Sequence, residues 1–191
     1  TVGHGLGSAP ELVIQKVRNQ SGDYWWTGTT VIDGSMDFLK LNDTDAKANS
    51  SYAVPTSSVF SNVTFTGATS NVAYCFHSVE GFSKIGVFTG NGNADGPFVY
   101  CGFKPAWVLL KNSNDAEWWT LVDNKRLGYN ETNSILSPNA NGAEYSSSGG
   151  GLDLVSNGFK PRGTSNNFNG SSDNILYMAF AEMPFKYANA R

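Results

Sequence analysis

An all-β fold, a sandwich or barrel built from two similar halves, is what this 191-residue sequence predicts. Two observations carry the prediction. Apolar runs are short, rich in Val, Ile, Phe, Tyr and Trp, and bounded by Gly, Asn, Asp and Pro, the pattern of strands and turns rather than of helices. The chain also states one pattern twice. Gly5-Leu6, then Pro10-Glu11-Leu12-Val13-Ile14-Gln15-Lys16 and Asp23-Tyr24-Trp25 are answered by Gly102-Phe103, Pro105-Ala106-Trp107-Val108-Leu109-Leu110-Lys111 and Glu117-Trp118-Trp119. The ends of the halves echo too, Asn71-Val72-Ala73-Tyr74 against Asn174-Ile175-Leu176-Tyr177. Such repetition points to a duplicated framework.

Taken in order, strands are expected over 12–18, 24–32, 38–41, 59–65 and 72–77, then 107–111, 118–122, 151–155 and 175–180. Asp33-Gly34 reads as a turn, and 43–48 as one short helical turn. The segment Thr89-Gly90-Asn91-Gly92-Asn93-Ala94-Asp95-Gly96-Pro97 has the densest turn signals and divides the chain into repeats 1–96 and 97–191. Pattern leaves open whether these fold separately or pack as one pseudo-symmetric unit. The run Ser146-Ser147-Ser148-Gly149-Gly150-Gly151 reads as a flexible loop.

Composition narrows the function. Hydrophobic residues at 40% and aromatics at 13% supply a real core, while charged residues are scarce at 15%. With a net charge of −3 and no basic run, nucleic-acid binding is not expected. No apolar run is long enough for a membrane-spanning helix, and no secretory leader opens the chain, although Thr1-Val2-Gly3-His4 reads like the middle of a longer protein. Cys75 and Cys101 lie in apolar strand-like runs and read as two buried free thiols, with a disulfide between them as the alternative. Six Asn-x-Ser/Thr triplets, at Asn19, Asn42, Asn49, Asn62, Asn130 and Asn169, are attributable to the abundance of these residues.

Catalytic and metal signals are weak. His4 and His77 fall in no nucleophile or zinc motif. Asn91, Asn93 and Asp95 imitate the first half of a calcium loop, but Gly102 stands where the bidentate glutamate belongs, so a turn cluster is the preferred reading. Asp23 and Glu117 occupy matching repeat positions, which favours a shared structural role over a carboxylate pair. Neither enzyme activity nor a cofactor or metal is expected. The aromatic pairs Trp25-Trp26 and Trp118-Trp119 are the candidate ligand contacts, because neighbours on a strand face opposite ways and one ring of each pair should be outward. Two roles stand open for the outward ring: packing beneath a neighbour, or stacking on a sugar or partner. Together with Asn91, Asn93 and Asp95 these rings make up the candidate binding residues.

Several segments resemble a repeat module of structural proteins from marine tailed bacteriophages. They are Gly3-His4-Gly5-Leu6-Gly7-Ser8-Ala9-Pro10, Pro55-Thr56-Ser57-Ser58-Val59-Phe60-Ser61, Val72 through Lys84, Phe88-Thr89-Gly90-Asn91-Gly92, Asp95-Gly96-Pro97-Phe98-Val99-Tyr100, and Ala179-Phe180-Ala181-Glu182-Met183-Pro184. The resemblance implies a jelly-roll or lectin-like β-sandwich on a virion, assembled in the host cytoplasm. It would be part of a tail or surface fibre, contacting other virion proteins, with host-surface glycans as ligands and a homotrimer as the expected assembly. A decoration protein with an assembly role only is the near alternative and a glycan-degrading enzyme the distant one. Since the strand framework is what repeats, function is expected in the unrepeated segments 35–52, 91–95 and 130–148.

Overall fold

The computed structural model describes residues 1–62 and 70–184, and these form an all-β sandwich. The first part of the chain supplies β1 (Val2–Gly3), β2 (Leu12–Val17), β3 (Trp25–Thr29), β4 (Asp37–Lys40), β5 (Ala48–Asn49) and β6 (Val59–Phe60). Next come β7 (Asn71–Phe76), β8 (Ser83–Thr89), β9 (Val99–Tyr100), β10 (Pro105–Asn112) and β11 (Thr120–Asp123). The last are β12 (Ser134–Ile135), β13 (Tyr145–Ser146), β14 (Leu152–Val155), β15 (Gly158–Pro161), the single-turn helix α1 (Asn166–Asn169) and β16 (Asn174–Ala181).

Three sheets stack as layers. A five-stranded sheet runs β5-β4-β3-β2-β7, a four-stranded sheet β11-β10-β16-β8, and a three-stranded sheet β14-β15-β9; β1-β6 and β12-β13 are short ribbons. The four-stranded sheet is the middle layer, since its strands feed two cores on opposite faces. Leu109, Leu176, Met178 and Ile85 meet Leu12 and Leu39 of the five-stranded sheet. Val108, Leu110, Ile175, Tyr177 and Ala179 meet Val99, Leu152, Leu154 and Phe159 of the three-stranded sheet. Alternation along β10 and β16 therefore divides two apolar sets rather than an apolar and a polar set, which is why both read as nearly continuous hydrophobic runs. Each fully buried side chain of this kind contributes about 1.5–3 kcal/mol.

Two strand triplets share one order. β3-β2-β7 in one sheet and β11-β10-β16 in the other are both antiparallel triplets with the same order of hairpin and return strand. Lys16 pairs with Trp25. Leu110 pairs with Thr120, and extending that register by one residue sets Lys111 opposite Trp119. The match breaks at the return strand. Gln15 faces Ala73, whereas its counterpart Leu110 faces Tyr177, one residue beyond the sequence alignment. The cause is a β-bulge between Pro105 and Trp107, before which the two registers agree. A one-residue slip reverses faces. Tyr74, paired with Ile14, lies on the face toward the middle layer but at an edge, and is 49% exposed. Tyr177 points away from that interface into the other core, at 4%.

Four expectations need correction. The division at residue 96 is not a boundary between sheets, because β8 from the first half pairs with β16 over seven residues and completes the middle layer. Residues 43–48 form no helical turn; Lys47 there instead binds Asp33 and the buried Asp37, tying the segment to β4. The expected strand 118–122 begins only at Thr120, leaving both tryptophans in the loop before it. The Ser/Gly run at 146–151 is a close-packed crossing rather than a loose loop. A Cβ on Gly151 would meet the Thr132 carbonyl, and one on Gly163 the Gly149 carbonyl. The expected strand 59–65 is realised as β6 at its start, while 63–65 lie outside the described residues.

Candidate functional site

Trp118 and Trp119 are adjacent yet have opposite fates. The Trp119 indole is buried at 1% exposure and its Nε1 donates to the Lys40 carbonyl at 2.9 Å. It is a core ring, which removes it from the candidate ligand contacts. Trp118 is 46% exposed. Both backbone amides are held by asparagines: Trp118 N–H donates to Asn167 Oδ1 at 3.3 Å, and Trp119 N–H to Asn139 Oδ1 at 3.1 Å. The backbone that carries the exposed ring is thus held by two asparagines and by its buried neighbour.

A cleft of about 310 Å3 opens beside Trp118, lined also by Ser137, Ala140, Gly142, Ala143, Tyr145 and Asn167. That volume sits at the small end of the roughly 300–1,000 Å3 usual for ligand sites. Tyr145, 41% exposed, stands on β13, which pairs with β12 through Ile135, a core residue. The ribbon is fastened further by Ser134 Oγ donating to Glu144 at 2.8 Å and Arg126 bridging Glu144 and Asp123. These partners hold the carboxyl of Glu144 below its usual range, Ser134 first and Arg126 second. Ala140, Gly142 and Ala143 keep side-chain bulk out of the cleft. The Ser137 hydroxyl, buried at its oxygen, has no protein partner. Two aromatic rings beside a lining of small residues make a site suited to a flat polar ligand with apolar faces.

The other predicted residues are distributed differently. Trp25 is half-buried on β3 and borders a separate shallow hollow with Leu41, Asn42 and Pro138. Trp26 packs edge-on against Tyr24 and Phe38 and donates from its indole to Asp23 Oδ1 at 3.2 Å, a structural position on the outer face of the five-stranded sheet. Asn91, Asn93 and Asp95 form chained turns: Asn93 N–H donates to Asn91 Oδ1 and Asp95 N–H to Asn93 Oδ1. The fully buried Asn169 donates to Asn91 Oδ1 and to the carbonyls of Asn93 and Gly163. Asp95 pairs with Lys160 and Arg162, and Lys160 chiefly lowers its carboxyl below the ordinary range. Asn91 Oδ1, Asn93 Oδ1 and Asp95 Oδ1 already have donors, and through Asn169 the loop docks the strand connection onto α1.

Of the three unrepeated segments singled out above, 130–148 carries five residues of the cleft, while 35–52 and 91–95 are pinned by their own contacts. Asn167 on α1 was the residue that sequence reading missed; a single helical turn leaves no periodic signal. His4 uses both ring nitrogens locally, Nε2 donating to the Thr56 carbonyl and Nδ1 accepting from Leu6 N–H. Cys75 and Cys101 are free thiols. Burial raises both, Cys101 to about 12, which keeps it protonated and unreactive. No carboxylate lines the Trp118 cleft. A larger hollow of about 460 Å3 is lined by His4, Phe60, Asn62, Asn71 and Cys75.

No curated protein and no solved structure matches this chain. A family model described as a domain of unknown function, DUF7483, matches residues 1–184, and the chain belongs to that family.

Proposed function

We propose that this protein is a non-enzymatic adhesion module of a tailed-phage particle, part of a tail or surface fibre, which holds host-surface glycans in the cleft between Trp118 and Tyr145. The cleft carries the reading: sugars present apolar C–H faces to aromatic rings and hydroxyls to polar side chains such as the Asn167 amide. A lining without Asp or Glu favours binding over hydrolysis, which needs two placed carboxylates. The particle context rests on the sequence resemblance alone.

A glycan array probed with wild type and with Trp118→Ala tests the binding role. Loss of signal in a folded Trp118→Ala protein supports it, and undiminished signal overturns it. Release of product from host polysaccharide would overturn the non-enzymatic part. Light scattering is expected to show a trimer.

One observation favours a second reading, an assembly role without glycan binding. Phe98 and Tyr100, two residues apart at the free edge of the three-stranded sheet, are both exposed. Exposed edges with aromatic side chains suit contacts with neighbouring proteins. Labelling the protein within the particle distinguishes a fibre from a capsid or tail decoration.

A further inference from the structure

The Trp118 cleft and the Trp25 hollow share one wall. Ser137 lines the first and Pro138 the second, and consecutive Cα atoms are only about 3.8 Å apart. The 137–140 turn between them is closed by Ala140 N–H donating to the Ser137 carbonyl at 3.0 Å. Trp119 braces it from beneath, its backbone N–H held by Asn139 and its indole N–H given to Lys40. The far side is equally fixed. Leu41 N–H donates to the Trp25 carbonyl at 2.8 Å, and Trp25 N–H to Asn42 Oδ1 at 2.8 Å. The second hollow is about 200 Å3 and offers the same kind of surface: one indole, apolar Leu41 and Pro138, and one side-chain amide, Asn42.

Neither lining contains a charged side chain. An anionic sugar would find no cation in either lining to offset whatever hydration its charge gives up. We infer that the two hollows are subsites of one extended site, and that its ligand is an uncharged oligosaccharide. One ring of that chain stacks between Trp118 and Tyr145, and the chain crosses the 137–140 turn to stack a further ring on Trp25. This rests on the reading of the Trp118 cleft as a glycan site, and it assigns Trp25 a role that the fold alone does not require.

The probe is an array of neutral, uronate-bearing and sulfated oligosaccharides of two to six rings, followed by titration of the best binder as a length series. Neutral sugars are expected to bind. Affinity should rise at least tenfold from two rings to four in wild type, and Trp25→Ala should abolish that gain. Because Trp25→Ala touches β3, the wild-type indole N–H resonance of Trp25 provides an independent reading. It should shift with the four-ring ligand and stay in place with the two-ring one. A neutral ligand that binds through Trp118 with flat length dependence and an unmoved Trp25 resonance overturns the extended site while leaving the glycan reading intact. Preference for the charged sugars overturns the uncharged ligand. Failure of every sugar to bind overturns both.

Discussion

The Trp119 indole N–H reaches the Lys40 carbonyl across 79 positions of sequence, at 2.9 Å. This bond joins the end of β4 in the outer sheet to the loop that leads into β11 of the middle sheet, and it fixes the position of the neighbouring Trp118. Adjacent tryptophans should therefore separate stability from binding. Trp119→Ala is expected to cost about 3–5 kcal/mol, the loss of a buried aromatic with the cavity it leaves. Trp118→Ala should stay within about 1 kcal/mol of wild type, since its ring is half exposed. Urea unfolding of the two variants checks this, and equal losses would refute the assignment.

Lys111 offers a second test. Its ammonium is fully buried and donates to three carbonyls, those of Thr44, Asn112 and Asp115, at 3.1, 2.6 and 3.1 Å. Lys111→Met orphans three acceptors at once and should cost about 2–4 kcal/mol.

Burial lowers the Lys111 pKa to about 8, against 10.5 for a free lysine, and nearby acidic groups, Glu117 first, only partly oppose this. Between these values the unfolded chain binds more protons than the folded one, so this residue's contribution to stability rises as pH goes from about 8 to 10.5. The stability gap between wild type and Lys111→Met should widen over that window and be constant below it. Denaturation series at fixed pH values measure the gap; a gap that narrows there would be contrary.

Glycine substitutions test the close crossing near residue 150. Gly150 has φ of 93° and a Cβ there would lie 2.5 Å from the Arg162 carbonyl. Gly150→Ala should destabilise by about 2 kcal/mol or more. Gly7, with open space around it, is the control, and Gly7→Ala should be neutral or stabilise by up to about 1 kcal/mol. Thermal melts of the two variants suffice.

The bulge at Pro105 predicts unequal tyrosines despite their matching motifs. Tyr177→Ala should cost about 3–5 kcal/mol, because the side chain fills the core beside Phe88 and Phe159. Tyr74→Ala, at a sheet edge, should cost less than about 1 kcal/mol. Comparable losses would mean that the two return strands keep the same register after all.

The all-β class and most of the long strands are legible in the sequence alone. They can be read there because strand alternation and turn residues are local properties. The sequence did not reveal β8, whose Ser-Lys-Ile-Gly-Val-Phe-Thr run mixes residues that sit at the open edge of the middle sheet. Nor did it distinguish Trp118 from Trp119, since both lie in the loop before β11, where strand alternation no longer assigns faces. That one sheet is covered on both sides, that a single bulge turns Tyr177 inward, and that Trp25 and Trp118 flank one turn emerges only once the chain is packed. Each of these depends on which surfaces meet between residues far apart in the chain, and no local pattern encodes that meeting.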